Sequence, residues 1–164
     1  MVSSTLKDYL DKEAVVYTHH IHPPAYTAQE IATVTHMRRK EMVKSTILKA
    51  DHDLVMAVLS ANDAANLDVL RTEIGCGVLR LATEAEFADA FPSCKLGAMP
   101  PFGNLFGVPT YCETTLAQNR EIEFNAGTHD ETVRITFSDY SRLVNPNLVR
   151  FAHPYREGLQ RLAA

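Results

Sequence analysis

The sequence predicts an α+β fold: a curved, barrel-like mixed sheet with helices on its outside. Three observations predict it. Segments of strand character outnumber the helical ones, and the short helices fall between them irregularly. The regular strand–helix alternation of a parallel α/β sheet is missing. No repeat, low-complexity tract or linker breaks the order, so residues 1–164 are expected to form one domain.

The elements follow in chain order. Ser3 or Ser4 can cap a helix running to about Lys12, with Leu6 and Leu10 on one face. "AVVYTHH" reads as a strand. "PPAYTAQEIA" holds a capping box, Thr27 with Glu30, that opens a helix toward His36. "MVKSTILKA" and "LVMAVLS" are β-rich runs joined by "DHD", a hairpin. Residues 61–74 carry Ala64, Leu67, Leu70 and Ile74 at helical spacing, ended by glycines 75 and 77. "VLRLA" is strand-like, and Thr83 with Glu86 caps the helix "EAEFADAF". After residues 95–109 come the strands "VPTYCE", "EIEFNAG" and "TVRITF", the last two alternating apolar and polar. Ser138 is the expected cap of a short helix, and "LVRFA" precedes a polar helical tail.

Composition narrows the function. Apolar residues at 46% and charged ones at 22% are ordinary for a soluble globular protein. No apolar run approaches the ~18 residues of a membrane span, and "MVSSTLKDYLDKE" lacks the basic start and apolar core of a signal peptide. Three cysteines, Cys76, Cys94 and Cys112, are an odd number without metal spacing, which suits a reducing cytoplasm. A net charge of −4 argues against a protein that coats nucleic acid nonspecifically. Neither DNA nor a membrane is expected as a partner. A local basic run, Arg38, Arg39, Lys40 and Lys44, is either a solvated turn or a place for one or two phosphates.

Familiar catalytic patterns are few. His19, His20 and His22 stand together, but no set of acidic or cysteine ligands accompanies them, so the structural reading outweighs a metal and none is expected. No G-x-S-x-G, GxGxxG or P-loop occurs. Cys76 between two glycines is read as packed rather than reactive. Lys44 either snorkels along its strand or holds a phosphate or carboxylate. In "FNAGTHDE", Asn125 and Gly127 permit a positive φ, with His129 beyond them as a hydrogen-bonding, basic or merely solvated side chain.

The most specified stretch is "KLGAMPPFGNLFGVP", residues 95–109. It has three glycines, three prolines, one charge and no acid, base or nucleophile. With "HPPAYTAQEIA", "VKSTILKAD" and "EIEFNAGTHDETVRITFSDYSRLVNP", in this order and spacing, it resembles the YbaK/prolyl-tRNA-synthetase-associated domain family of free-standing aminoacyl-tRNA editing deacylases. The segment "MPPFGNLFG" is closer to the alanine-type branch than to the cysteine-specific one.

The resemblance implies hydrolysis, in trans, of the ester of a mischarged tRNA, such as alanine on tRNA for proline, without a cofactor. The family's lysine falls on Lys44, associated with the terminal adenosine and its phosphate. Its G-x-x-x-P loop falls on Gly97–Pro101, and its glycine-and-histidine segment on Gly127 and His129. Lys44, Gly97 and His129 are thus the candidate catalytic residues. Ala98, Met99, Pro100, Pro101, Phe102 and Gly127 are the candidate substrate-binding ones. An aminoacyl ester is already activated, so a loop need supply only main-chain N–H groups for the oxyanion, with Gly97, Ala98 and Met99 as possible donors. Pro100 and Pro101 would stiffen the loop, while Ala98, Met99 and Phe102 would line the pocket. The implied partners are the acceptor end of an aminoacyl-tRNA and a prolyl-tRNA synthetase. Two rival readings remain open: a non-catalytic nucleotide or acceptor-end binding module on the same fold, and a metal-dependent hydrolase built on His19–His22.

Overall fold

β2 (Val43–Ala50) and β3 (Asp53–Ser60) form the longest hairpin, in antiparallel register from Val43↔Ser60 to Ala50↔Asp53. Asp51, at a φ of +52°, makes the tight turn between them. This hairpin is the centre of the computed structural model, which describes residues 3–154. The preceding elements are α1 (Ser4–Lys12), β1 (Thr18–Ile21) and α2 (Ala28–Val34). After the hairpin come β4 (Asp63–Ala65), α3 (Leu67–Ile74), β5 (Leu79–Leu81) and α4 (Glu84–Phe87). β6 (Thr110–Glu113), β7 (Glu121–Asn125), β8 (Glu131–Thr136), α5 (Phe137–Val144), β9 (Asn147–Val149) and β10 (Ala152–Pro154) complete the order.

The strands assemble into a five-stranded sheet β5-β2-β3-β6-β9, a three-stranded sheet β1-β8-β7, and the pair β10-β4. The α+β class is borne out. The sheet does not close into a barrel: β6 joins β3 in parallel and β9 joins β6 in parallel, and the order ends at β5 on one side and β9 on the other with no pairing between them. Its continuous apolar strands are explained by burial on both faces. Val43, Ile47, Met56 and Val58 face a core shared with Leu6 and Leu10 of α1, Ile122 and Phe124 of β7, and Val133 and Ile135 of β8. Leu48, Ala50, Val55, Ala57 and Leu59 face the other way, onto Leu70 of α3 and Phe151. A third cluster seats Ile31 and Ala32 of α2 on Met42 and Ala61.

Several local expectations need correction. Residues 61–66 are not helical: β4 pairs with β10, and Asn66 then caps α3 through its Oδ1, 3.1 Å from Asp68 N and 3.2 Å from Val69 N. The cap of α5 is Thr136, not Ser138, its Oγ1 accepting from Asp139 N at 3.1 Å. In "AVVYTHH" only the end is strand, because β1 has a partner only where β8 runs beside it. "EAEFADAF" tightens after one α-helical turn into a 3₁₀ turn at Ala88–Ala90. The expected helical tail begins as β10, and its residues 155–164 lie outside the described ones.

The two capping boxes hold. Glu30 Oε2 accepts from Tyr26 N and Thr27 N at 2.9 and 3.1 Å, while Thr27 Oγ1 accepts from Glu30 N. Glu86 Oε2 accepts from Thr83 N at 2.8 Å, and Arg80 grips the same carboxylate through two bonds of 2.9 and 2.7 Å. Where the three-stranded sheet meets the start of β2, Glu123 N donates to Glu41 O, and the buried Glu123 carboxylate binds Arg134 through Nε and Nη2. That junction sets the end of β7 beside Lys44.

Candidate active site

Three separated stretches of chain meet β2 in one cavity of about 230 Å³. β2 contributes Val43, Lys44, Ser45 and Thr46; the segment entering α2 contributes Tyr26 and Thr27; the glycine–proline loop contributes Gly97 and Met99; the end of β7 contributes Asn125. Lys44 sits half-buried on its strand. Burial pulls its ammonium pKa below the ordinary 10.5, and the nearby Asp63 carboxylate opposes part of that shift. A cation held partly out of water gains more from an anionic ligand than a solvated one does.

The loop opposite is fixed by its neighbours. Gly97 adopts a φ of +83°, a conformation that costs a residue bearing a Cβ about 1–2 kcal/mol. Lys95 N donates to Gly127 O at 2.8 Å and Gly127 N to Ala98 O at 3.0 Å, so the "NAG" segment clasps both ends of the Gly97 turn. Gly127 itself has a φ of +101°, and a Cβ there would lie 3.0 Å from Ser3 Cβ. His129 Nε2 donates to Leu96 O at 3.0 Å, which places the proton of the neutral ring on Nε2. Its ring lies 4.9 Å from the Tyr26 ring at the cavity's edge. On the far side, Tyr140 Oη donates to Pro101 O at 2.9 Å.

The predicted residues therefore divide. Lys44, Gly97 and Met99 line the cavity together. Gly127 and His129 stand behind the loop and hold it. Ala98, Pro100, Pro101 and Phe102 are buried and form the loop's backing. Phe102 belongs to the core, packed on the rings of Phe124 and Tyr140 at 5.4 and 5.6 Å. Ala98 is not a free donor either: its N–H already closes a turn onto Lys95 O at 3.0 Å. Gly97 and Met99 N–H make no backbone hydrogen bond among the described residues.

Sequence reasoning missed Tyr26, Thr27, Ser45 and Thr46 as lining residues, and it misread Asn125. Asn125 is an ordinary strand residue rather than a positive-φ one, and its Oδ1 is buried without a hydrogen-bond partner. The capping box and the β2 pattern located four of these side chains, but nothing in their spacing marked them as facing a ligand.

None of the three cysteines lines this cavity. Burial pushes the Cys112 thiol up to about 12 and raises Cys94 as well. The histidines go separate ways: His19 Nε2 lies 3.6 Å from Glu131, His20 Nδ1 lies 3.0 Å from Glu123, and His22 Nδ1 donates to Pro23 O. Among the described residues no three His, Cys, Asp or Glu side chains gather as a metal site.

A family model described as "Aminoacyl-tRNA editing domain" matches residues 22–143, a stretch that includes every residue of this cavity. The chain belongs to that family. Within it, this editing domain is 37% identical over 98 residues to the Escherichia coli (strain K12) "Multifunctional Ser/Thr-tRNA deacylase ProXp-y", a match covering 59% of this chain and 58% of that protein. It is 30% identical over 91 residues to a proline–tRNA ligase of Heliobacterium modesticaldum, covering 56% of this chain and 16% of the ligase. A solved structure described as a candidate trans-editing enzyme for prolyl tRNA synthetase superposes with a TM-score of 0.79 at 20% identity, over 92% of this chain and 96% of that one. A hypothetical protein superposes at 0.83 with 14% identity, over 92% and 100%. These two structures share the editing-domain fold. Among the described residues no helix is long and apolar enough to cross a membrane.

Proposed function

We propose that this protein hydrolyses, in trans, the ester joining a wrongly attached small amino acid to tRNA, in the cytoplasm where charged tRNAs are used. One observation carries the reading: a half-buried lysine and a clasped, positive-φ loop, whose Gly97 and Met99 N–H groups make no backbone hydrogen bond among the described residues, line a single cavity. Lys44 holds the phosphate of the terminal adenosine as a point charge. Gly97 N–H and Met99 N–H take the ester carbonyl oxygen. Water, positioned with the help of the free ribose hydroxyl, adds to the carbonyl carbon, and the oxyanion forms against donors already aimed at it. Collapse breaks the acyl–oxygen bond, and the ribose oxygen leaves with a proton from the attacking water. The products are free amino acid and intact tRNA.

The substrate side chain is small because Met99, Val43 and the clasped loop bound the cavity. A pocket excludes what is too large better than what is too small. Alanine fits this description, and so do serine and threonine, the residues named for the E. coli relative. The orphan Asn125 Oδ1 offers an acceptor to a donor on the aminoacyl group. The proline–tRNA ligase relatives make tRNA for proline the first tRNA to test and its synthetase the first partner. The test is a deacylation screen with alanyl-, seryl-, threonyl- and cysteinyl-tRNA. Release of at least one amino acid by the wild-type protein, lost in Lys44→Ala, is expected. Tight binding of uncharged tRNA with no release from any of the four would replace the reading with that of a binding module.

A further inference from the structure

A second cavity, of about 290 Å³, lies around the start of β4 and opens between the turn before β2 and strand β10. Lys40 reaches it from the turn before β2, and Arg150 and His153 from the β9–β10 segment, with Asn62 and Asn119 also in its wall and Asp63 as its acid. Asp63 also links it to the site described above, since its carboxyl feels Lys44 as well as His153. Burial and the neighbouring Glu113 raise the Asp63 pKa above its ordinary 3.8. Arg38 and Arg39 are exposed on the same turn as Lys40. None of Arg38, Arg39, Lys40 or Arg150 forms an ion pair among the described residues, whereas Arg80, Arg134 and Arg142 are each held by carboxylates.

Lys40 and Arg150 thus line one cavity without an ion pair, and Arg38 and Arg39 are exposed on the adjoining turn, in a protein whose net charge is −4. Neighbouring cations without carboxylate partners favour a polyanion at that place. The turn carrying Lys40 is also held in shape, because Asn119 Nδ2 donates to Lys40 O at 2.9 Å. Side-chain amides among the cations suit the mixture of phosphate oxygens and 2′-hydroxyls along an RNA strand.

We infer that this cavity and its arginine-bearing rim bind the backbone of the RNA strand leading into the active site, with Lys40 and Arg150 on phosphates. The inference rests on the deacylase reading for the strand's direction, with its terminal adenosine at Lys44. It adds a subsite that the chemistry at the ester does not require.

The test uses the whole protein and an uncharged RNA hairpin of the acceptor stem ending in CCA, titrated at several salt concentrations. The double variant Lys40→Ala/Arg150→Ala is expected to bind roughly tenfold more weakly. Its salt dependence should flatten by about 0.7 in log–log slope for each phosphate that is no longer neutralised. Lys12→Ala, an exposed cation on α1 away from the cavity, should change neither. Hydrolysis of an aminoacyl ester of adenosine monophosphate, which has no upstream strand, should be the same in the double variant and the wild type. Unchanged affinity and slope would overturn the inference, and so would an equal loss on the small ester, which would place the two side chains in the folding or chemistry of the first site. Failure of the wild type to hydrolyse any ester would remove the deacylase reading, and the hairpin titration would still decide this surface.

Discussion

Lys44 is placed against its own stability. Folding lowers its pKa, so the folded chain binds that proton less tightly than the unfolded one. The cost is present below the folded pKa and vanishes as pH rises past 10.5. Replacing it with an apolar side chain of similar length should therefore spare the fold while removing the charge that holds the phosphate. Lys44→Met is expected to raise KM for charged tRNA roughly 10- to 100-fold with no drop in thermal midpoint, measured by deacylation and by melting. In the wild type, affinity for the acceptor end should fall on the alkaline side at a pH below 10.5, as the ammonium is lost. Gly97 carries the complementary prediction. At a φ of +83°, Gly97→Ala should lose about 1–2 kcal/mol of stability in denaturant unfolding and at least tenfold in turnover, because relaxing the strain turns the N–H away.

Among the elements, carboxylates do the joining. Glu123 is fully buried and holds Arg134 and His20 where the two larger sheets meet. Glu123→Ala removes the two hydrogen bonds that hold the partly buried Arg134 guanidinium, leaving it only the 3.8 Å contact with Glu121, and should cost about 3 kcal/mol, read from denaturant midpoints. Glu86 closes α4 and binds Arg80 in the open, where its carboxyl is lowered to about 2, first by the Arg80 hydrogen bonds and then by Thr83 N–H. Its contribution is complete above the ordinary 4.5 and disappears as pH falls through about 2. A melting difference between wild type and Glu86→Gln should thus be present at pH 7 and close in strong acid. Gly103 explains part of the loop's composition differently from Gly97. A Cβ there would sit 2.3 Å from Thr110 Oγ1 and from Val108 O, so space rather than φ requires the glycine.

Over the whole molecule, the hairpin, both capping boxes and the alternating strands were legible because their signals lie within a few residues. The parallel partners of β6 were not, since nothing local in "VPTYCE" names Met56 or Asn147 as its neighbour. Residues 61–66 misled for the same reason: their apolar spacing fits a helix, and only β10 makes them a strand. At the site, residues with unusual backbone demands or a charge among apolar neighbours stood out. Residues that line the cavity with ordinary strand geometry, Ser45 and Thr46, did not, and Asn125 drew notice only for a positive φ that it does not have. The open five-stranded sheet carries one more consequence. Its parallel joints bring together positions as far apart as 56 and 110, then 111 and 147, so chain closure over long loops must precede much of the reward. Refolding after dilution from denaturant should be slow for a chain of this size. On the ribosome, β3 and then β6 must wait with a bare edge until their mates emerge, an interval in which neighbouring nascent copies can pair wrongly.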